Sequence, residues 1–260
     1  MDSIKKLKKF WSGKKVFITG HTGFKGSWLT VWLLRLGADV IGFSKDVPTS
    51  PSMFEDLGLE SKIKHHVADV RDLVAVKAIV GMEKPDFIFH LAAQAIVSVS
   101  YENPLDTITT NVVGTMNVLE SLRDVDHECC VVLITSDKCY ENVEWVWGYK
   151  ETNKMGGKDI YSGSKGAAEL IINSYVESFF SSNTSPVKVA IARAGNVIGG
   201  GDWSENRLIP DIIRSYSKKK TLEIFDTILQ GETPKPGSYR GRINNEPENN
   251  RKTLMDLKNA

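Results

Sequence analysis

No stretch of this 260-residue sequence stays apolar for the roughly 20 residues that a membrane-spanning helix needs. The N-terminus also lacks the block of about 7–15 apolar residues that forms the core of a secretory signal. Neither sign of charge dominates. Lys and Arg total 33 against 32 Asp and Glu, a formal +1, which gives no electrostatic reason to expect nucleic acid or an anionic membrane as partner. Cysteine is scarce: Cys129, Cys130 and Cys139 are odd in number and lack metal-ligand spacing, so no metal site is expected. Such usage favours a reducing compartment, and a cytoplasmic location is the expectation. A lone cysteine without a positioned histidine reads as packing, so Cys139 is not taken as a nucleophile.

What is present begins with a basic cluster, "KKLKKFWSGKK", in which Ile4, Leu7, Phe10 and Trp11 are roughly helix-spaced. It fits either a helix lying on a membrane surface or a solvated leading helix pinned by Trp11. Beyond it, short apolar runs alternate with longer helical patterns. The runs "KVFIT" (15–19), "DVIGF" (39–43), "KHHVA" (64–68), "DFIFH" (86–90), "CVVLIT" (130–135) and "VKVAIAR" (187–193) predict strands, mostly continuous rather than alternating, as a sheet covered on both faces requires. Helices are predicted over 24–37, 71–82, 105–124 and 160–180, the third entered at Asn103-Pro104. This alternation predicts an α/β fold, a doubly wound, Rossmann-like parallel sheet. From Phe225 onward the chain turns rich in Asn, Pro, Gly and charge without an apolar period. The expectation is therefore a dinucleotide-binding domain over 1–224 and a poorly ordered tail over 225–260.

"TGHTGFKG" follows the first strand and opens the first long helix. Lys25 precedes Gly26, the wrong order for a phosphate loop of the Gly-Lys-Ser/Thr type. Gly20, Gly23 and Gly26 allow a tight turn and a close backbone approach to a pyrophosphate at the helix N-terminus, although glycines alone also suit a plain strand-to-helix turn. The acid that would hold an adenosine ribose is ambiguous. Ser44 stands at the expected place, Lys45 suits a 2′-phosphate, and Asp46 comes slightly late. Asp69 reads equally well as a contact to the adenine edge or as the N-cap of the next helix.

In "YSGSK", Tyr161 and Lys165 lie four residues apart, on one helix face. A tyrosine with a free pKa near 10 becomes a base at neutral pH only when cations stabilise its phenolate, which Lys165 and a nicotinamide ring would do. Strand five runs into "TSDKCYENVEWVWGY" (135–149), and a doubly wound sheet places ligands at the carboxyl ends of its strands. Asp137 and Lys138 in that stretch are either working groups or a surface ion pair.

The spacing Gly20, Gly23, Gly26, the string "HLAA" (90–93) and the Tyr161–Lys165 pair together resemble the extended short-chain dehydrogenase/reductase superfamily. The strings "TGHTGFKGSWL", "TSDKCYENVEWVWGY", "YSGSKGAAEL" and "ARAGNVIGGGDW" are similar to those of its CDP-glucose 4,6-dehydratases, over about Phe10 to Ile224. The resemblance implies a hydro-lyase that works through NAD on CDP-glucose, as in deoxysugar, O-antigen and lipopolysaccharide biosynthesis, and that commonly dimerises through the helix of Tyr161. It implies a cofactor site of Gly20, Thr22, Gly23, Phe24, Gly26, Asp69, Val70, Leu91, Ala92 and Ala93 with Tyr161 and Lys165, and substrate contacts at Gln94, Asn196 and Arg207. Arg207 reads on charge alone as a solvated helix-start residue. Ser136 would bond the sugar 4-oxygen, Asp137 would protonate the departing 6-hydroxyl, and Lys138 would occupy the place of the C5 base. A lysine base would need burial or a neighbouring cation. Trp145, Trp147 and Tyr149 would cover the site or pack a contact. The resemblance stops near Ile224, so an incomplete substrate lobe and a truncated or frameshifted reading frame are expected. Ser98 stands where such enzymes commonly have a base. Other readings are a related epimerase or oxidoreductase and a non-catalytic NAD-binding protein.

Overall fold

The computed structural model describes residues 2–218. Its six strands are β1 Lys15–Thr19, β2 Asp39–Ser44, β3 Lys64–Val67, β4 Phe87–His90, β5 Cys129–Ser136 and β6 Val187–Ala194, in the order β3-β2-β1-β4-β5-β6. Every neighbouring pair runs parallel. The doubly wound fold expected from the alternation is thus present. Strand order reverses between β1 and β4, and the carboxyl ends of the strands open a crevice there.

Around the sheet lie α1 Asp2–Trp11, α2 Phe24–Leu36, α3 Met53–Asp56, α4 Leu73–Glu83, α5 Val97–Glu102, α6 Pro104–Ile108, α7 Gly114–Ser121 and α8 Ile160–Tyr175, with α9 Leu208–Ser217 further on. Alternate residues of β1 explain why both faces are covered. Phe17 joins Ile41, Phe43, Ile88, Leu119, Leu133 and Ile172 in one core, while Val16 and Ile18 pack with Leu33 and Val40 in the other. Each such fully buried side chain contributes about 1.5–3 kcal/mol. Trp11 rests on Phe87 and Phe89, with ring centroids 4.7 and 6.3 Å away. The leading helix is therefore pinned to the sheet, as the second reading of the basic cluster expects.

Two helices depart from the sequence reading, while the one read over 160–180 keeps its bounds. The helix read over 71–82 starts at Leu73, because Asp72 caps it by accepting from the Ala75 amide at 3.1 Å. The helix read over 105–124 is two helices joined by a π-helical turn, Thr109–Val113, and it ends at Ser121. The long helix after β5 likewise closes through a π-helical turn, Val176–Phe180.

Two compact units divide the chain, one up to Ser204 and one from Glu205. In the second, Arg207 occupies the N-cap position of α9, and Arg214 pairs with Asp211 one turn apart. The expected boundary at 224/225 and the tail lie outside the described residues. Among the described residues no helix is long and apolar enough to cross a membrane.

Candidate active site

At Gly20 and Gly26 the turn after β1 has no room for side chains. Gly20 has φ +74°, and a Cβ there would stand 2.6 Å from the Ala92 amide nitrogen. A Cβ on Gly26 would meet the Gly20 carbonyl at 2.1 Å. The turn is fixed from both sides, since the Gly20 amide donates to the Phe43 carbonyl at 2.8 Å while Leu91 and Ala92 donate to the Thr19 carbonyl and hydroxyl at 3.0 and 3.3 Å. Gly23 at the N-cap supplies no side chain, so no side-chain bond caps the first amides of α2, which begins at Phe24. A cradle of backbone donors at a helix start, closed to Cβ atoms, fits a dinucleotide pyrophosphate.

The surroundings of the cradle are polar and tightly bonded. Thr22 donates to the Asp46 carbonyl at 2.7 Å. His21 is fully buried, with Nδ1 3.0 Å from the Ser44 hydroxyl and Nε2 2.7 Å from His65 Nδ1. Ser44, at the place expected for a ribose acid, thus bonds inward, while Lys45 and Asp46 are exposed. Asp69 does not cap α4. Arg71 grips its carboxylate in a fork, 3.1 Å from Nε and 2.6 Å from Nη2, and reaches Asp106 at 2.6 Å, which leaves the capping role to Asp72. The Arg71 hydrogen bonds hold the Asp69 carboxyl below its ordinary range. Val70 follows, buried against Gly114, where a Cβ would approach its Cγ2 to 2.7 Å.

On the other side of the crevice, α8 presents Tyr161, Lys165 and Glu169 on one buried face, at 8%, 7% and 0% exposure. Lys165 Nζ stands 5.8 Å from the centre of the Tyr161 ring. Burial, and then the charge of Lys25, lowers the Lys165 ammonium to about 8. Asp159 starts the helix by accepting from Ser162 at 2.9 Å. β5 ends in a tight turn, Asp137–Cys139, capped by the Ser136 hydroxyl, which accepts from the Lys138 amide at 3.3 Å and donates to Asp137 at 3.0 Å. This turn lies against α8: a Cβ on Gly166 would stand 3.4 Å from the Cys139 carbonyl. Asp137 and Lys138 form a loose ion pair at 3.8 Å, with side chains 48% and 42% exposed. Lys138 therefore lacks the burial expected of a lysine base. After β6, a Cβ on Gly195 would sit 3.8 Å from the Asp137 carboxylate, so the exposed Asn196 follows directly beside the turn.

Gln94 turns its amide inward. Its Nε2 donates to Ile96 and Thr107 at 3.0 and 2.8 Å, and its Oε1 accepts from the Ile96 amide at 2.5 Å. Ala93, just before it, lines the same loop after β4, half-buried. The aromatics of 135–149 form a stack of their own. The Arg193 guanidinium lies 4.8 Å from the Tyr140 ring, which stacks on Tyr149 at 5.1 Å, followed by Trp145 at 5.2 Å and Trp147 at 5.9 Å from Trp145. An isolated bridge, Tyr140 to Met155, closes this excursion at its base. The glycine run after β6 crosses to α2, where Trp28 Nε1 donates to the Gly200 carbonyl at 2.9 Å.

Sequence reasoning missed three groups. Asn111, in the π-helical turn, bonds the Gln94 backbone and Ser164. His90 bridges Thr19 at 2.7 Å and Thr115 at 3.0 Å. Thr115 donates to the Asn111 carbonyl, so His90 carries its proton on Nε2 and accepts from Thr19 at Nδ1. The third group is the ion pair of Glu169 and Arg193. A polar residue within an apolar helix was the available signal for Asn111, and one further step of four beyond Tyr161 and Lys165 for Glu169.

A glycine cradle after β1, Tyr161 and Lys165 on the helix after β5, and a 3-2-1-4-5-6 parallel sheet make up the architecture of the extended short-chain dehydrogenase/reductases. Within that class the chain belongs to the family described as GDP-mannose 4,6 dehydratase, whose model matches residues 17–196. It is 50% identical over 220 residues to CDP-glucose 4,6-dehydratase of Salmonella typhimurium, covering 84% of this chain and 61% of that enzyme. Among solved structures, UDP-glucose 4-epimerase of Thermotoga maritima, with UDP-glucose, matches with a TM-score of 0.70 at 21% identity, over 82% of this chain and 66% of its own. UDP-glucose 4-epimerase of Thermus thermophilus, in complex with NAD, matches with a TM-score of 0.59 at 26% identity, over 69% and 54%. The chain thus spans about three-fifths of the length of its curated relative.

Proposed function

We propose that this chain is a nucleotide-sugar 4,6-dehydratase that converts CDP-glucose to CDP-4-keto-6-deoxyglucose with NAD as resident cofactor. One observation carries the reading. The Ser136–Asp137–Lys138 turn lies against the helix of Tyr161 and Lys165, in a chain 50% identical to an enzyme of that name.

NAD is supported by the cradle, where Gly20, Thr22, Gly23, Phe24 and Gly26 would hold the pyrophosphate, and Asp69, Val70, Leu91, Ala92 and Ala93 the adenosine and nicotinamide sides. Bound there, NAD would supply the hydride acceptor for sugar C4 and the hydride donor for C6. Tyr161 takes the proton of the 4-hydroxyl, with the Lys165 ammonium favouring its phenolate. Ser136 donates to the 4-oxygen. A proton leaves C5 and is returned there as the hydride reaches C6, and Asp137 supplies the proton with which the 6-hydroxyl departs as water. Lys138 stands where the C5 proton would be received. Asn196 and Arg207 are assigned to the diphosphate, for which an arginine fork is suited. The Gln94 side chain is bonded to Ile96 and Thr107 and its backbone to Asn111, so the substrate contact implied for it would have to share one of those groups.

Incubation of the purified chain with CDP-glucose and no added NAD tests this. A 4-keto-6-deoxy sugar should accumulate; a 4-epimer instead would replace the reading with an epimerase, which has no use for the Asp137–Lys138 pair. A second reading is a dinucleotide-binding protein without turnover, which the exposure and loose pairing of Asp137 and Lys138 would favour. Retained NAD with unchanged CDP-glucose would select it. A second copy of this chain is the proposed protein partner. It would dock beside a groove of about 400 Å³ between Ile108 and Val112 on one side and Gly163 and Ala167 of α8 on the other. Sedimentation as a monomer would remove it.

A further inference from the structure

Glu169 is fully buried, yet it touches both sides of the turn that follows β5. It accepts from Thr135 at 2.6 Å, one residue before Ser136, and, after burial, its charge helps to push up the pKa of the Cys139 thiol, one residue after Lys138. Burial pushes the Glu169 carboxyl up, and the hydrogen bonds from Arg193, Thr135 and Cys139 outweigh it, so the group stays a carboxylate. Arg193 answers it with a fork, Nε lying 2.8 Å from one carboxylate oxygen and Nη2 2.5 Å from the other. Across the sheet Arg193 is the register partner of Thr135. Its other nitrogen donates to the Tyr140 hydroxyl at 2.8 Å and to the Glu151 carbonyl at 3.2 Å.

We propose that Glu169 and Arg193 are positioning residues, a buried bracket that sets the Ser136–Lys138 turn in register with Tyr161 and Lys165. The proposal rests on the dehydratase reading for its catalytic consequence, and on geometry alone for its structural one. Proton transfer at C4, C5 and C6 of one sugar requires groups from the end of β5 and from α8 to keep a fixed separation. Glu169 sits one helical turn beyond Lys165 on the same face, so α8 grips the turn by its own catalytic side. A buried ion pair contributes little net stability compared with apolar packing, while its directional bonds fix one arrangement among several. Within residues 135–140, only those flanking 136–138 are bonded to the pair. The Ser136, Asp137 and Lys138 side chains remain open at the crevice edge.

Amide hydrogen exchange of the full chain without ligand, in Glu169→Gln against wild type, tests the bracket. Exchange over 136–141 should quicken by about tenfold while β1 and β4 keep wild-type rates. Unchanged exchange at 136–141, or equal quickening in β1 and β4, overturns the proposal. Should Glu169→Gln not fold, Thr135→Val removes one contact at constant shape and should quicken the same segment alone, by about threefold. With CDP-glucose, Glu169→Gln should lower kcat by about tenfold or more at nearly constant KM, and Arg193→Lys, which keeps the charge without the fork, should lose less. A rise in KM alone would overturn the catalytic role. Absence of turnover in the wild type would count against the dehydratase reading, and the exchange result would still decide the bracket.

Discussion

Asn111 donates to the Ser164 hydroxyl across 2.8 Å, and Ser164 in turn donates to the Tyr161 carbonyl at 2.7 Å. The π-helical turn between α6 and α7 thereby holds the helix that carries Tyr161. The same amide exchanges two hydrogen bonds with the Gln94 backbone, at 2.8 and 3.0 Å, and so fixes the loop after β4 as well. A single buried side chain joins two walls of the crevice.

Asn111→Ala should cost about 2–4 kcal/mol, because three hydrogen bonds go and buried partners are left unpaired. Urea denaturation should show a lower midpoint at an unchanged slope. An unaltered midpoint would show that Ser164 and Gln94 find other partners.

Gly26→Ala and Gly81→Ala should act in opposite directions. A Cβ on Gly26 would lie 2.1 Å from the Gly20 carbonyl, so the cradle must deform, and retention of NAD through gel filtration should be lost. Gly81 lies inside α4 with nothing within 4 Å of an added Cβ. There alanine should raise stability by about 0.5–1 kcal/mol without touching NAD retention.

Stability should fall on mild acidification. Burial, and then the charge of Lys165, holds His90 down at about 3, while burial and His65 hold His21 at about 4, both from 6.5. The folded state keeps these rings neutral where the unfolded chain takes up protons, so their contribution is complete above about pH 6.5 and is lost as pH falls toward 4. Thermal melts between about pH 7.5 and 4.5 should show a falling Tm. His21→Asn should lower the Tm at neutral pH and flatten the slope. A slope equal to that of wild type would place the proton uptake elsewhere.

Tyr161→Phe should reduce turnover of CDP-glucose by about 10²–10⁴-fold, the range for loss of a positioned acid-base group. NAD retention should stay as in wild type, since the ring and the Lys165 contact remain. Turnover at the wild-type rate would remove Tyr161 from the proton path.

The parts legible in the sequence were those set by short spacing. Continuous apolar runs placed all six strands, and glycine spacing and a step of four placed the cradle and the Tyr161–Lys165 pair. Choices decided by contacts far along the chain were not legible. Asp69 and Asp72 are equal as caps until Arg71, itself tied to Asp106, draws Asp69 away. Residues 105–124 keep an apolar period, and nothing in that period announces the extra residue of a π-helical turn at Asn111. Glu169 and Arg193 stand in two separate motifs, and it takes the contact of α8 with β5 at Thr135 together with the pairing of β5 and β6 to make them neighbours.

The stretch after β6 also works as a ruler. It leaves Gly195 beside the Asp137 carboxylate and reaches the Trp28 indole at Gly200. Five residue steps of roughly 3.3–3.6 Å cap that separation at about 18 Å. Covalent chain length therefore limits how far the Asp137 turn can stand from the helix that opens the cradle.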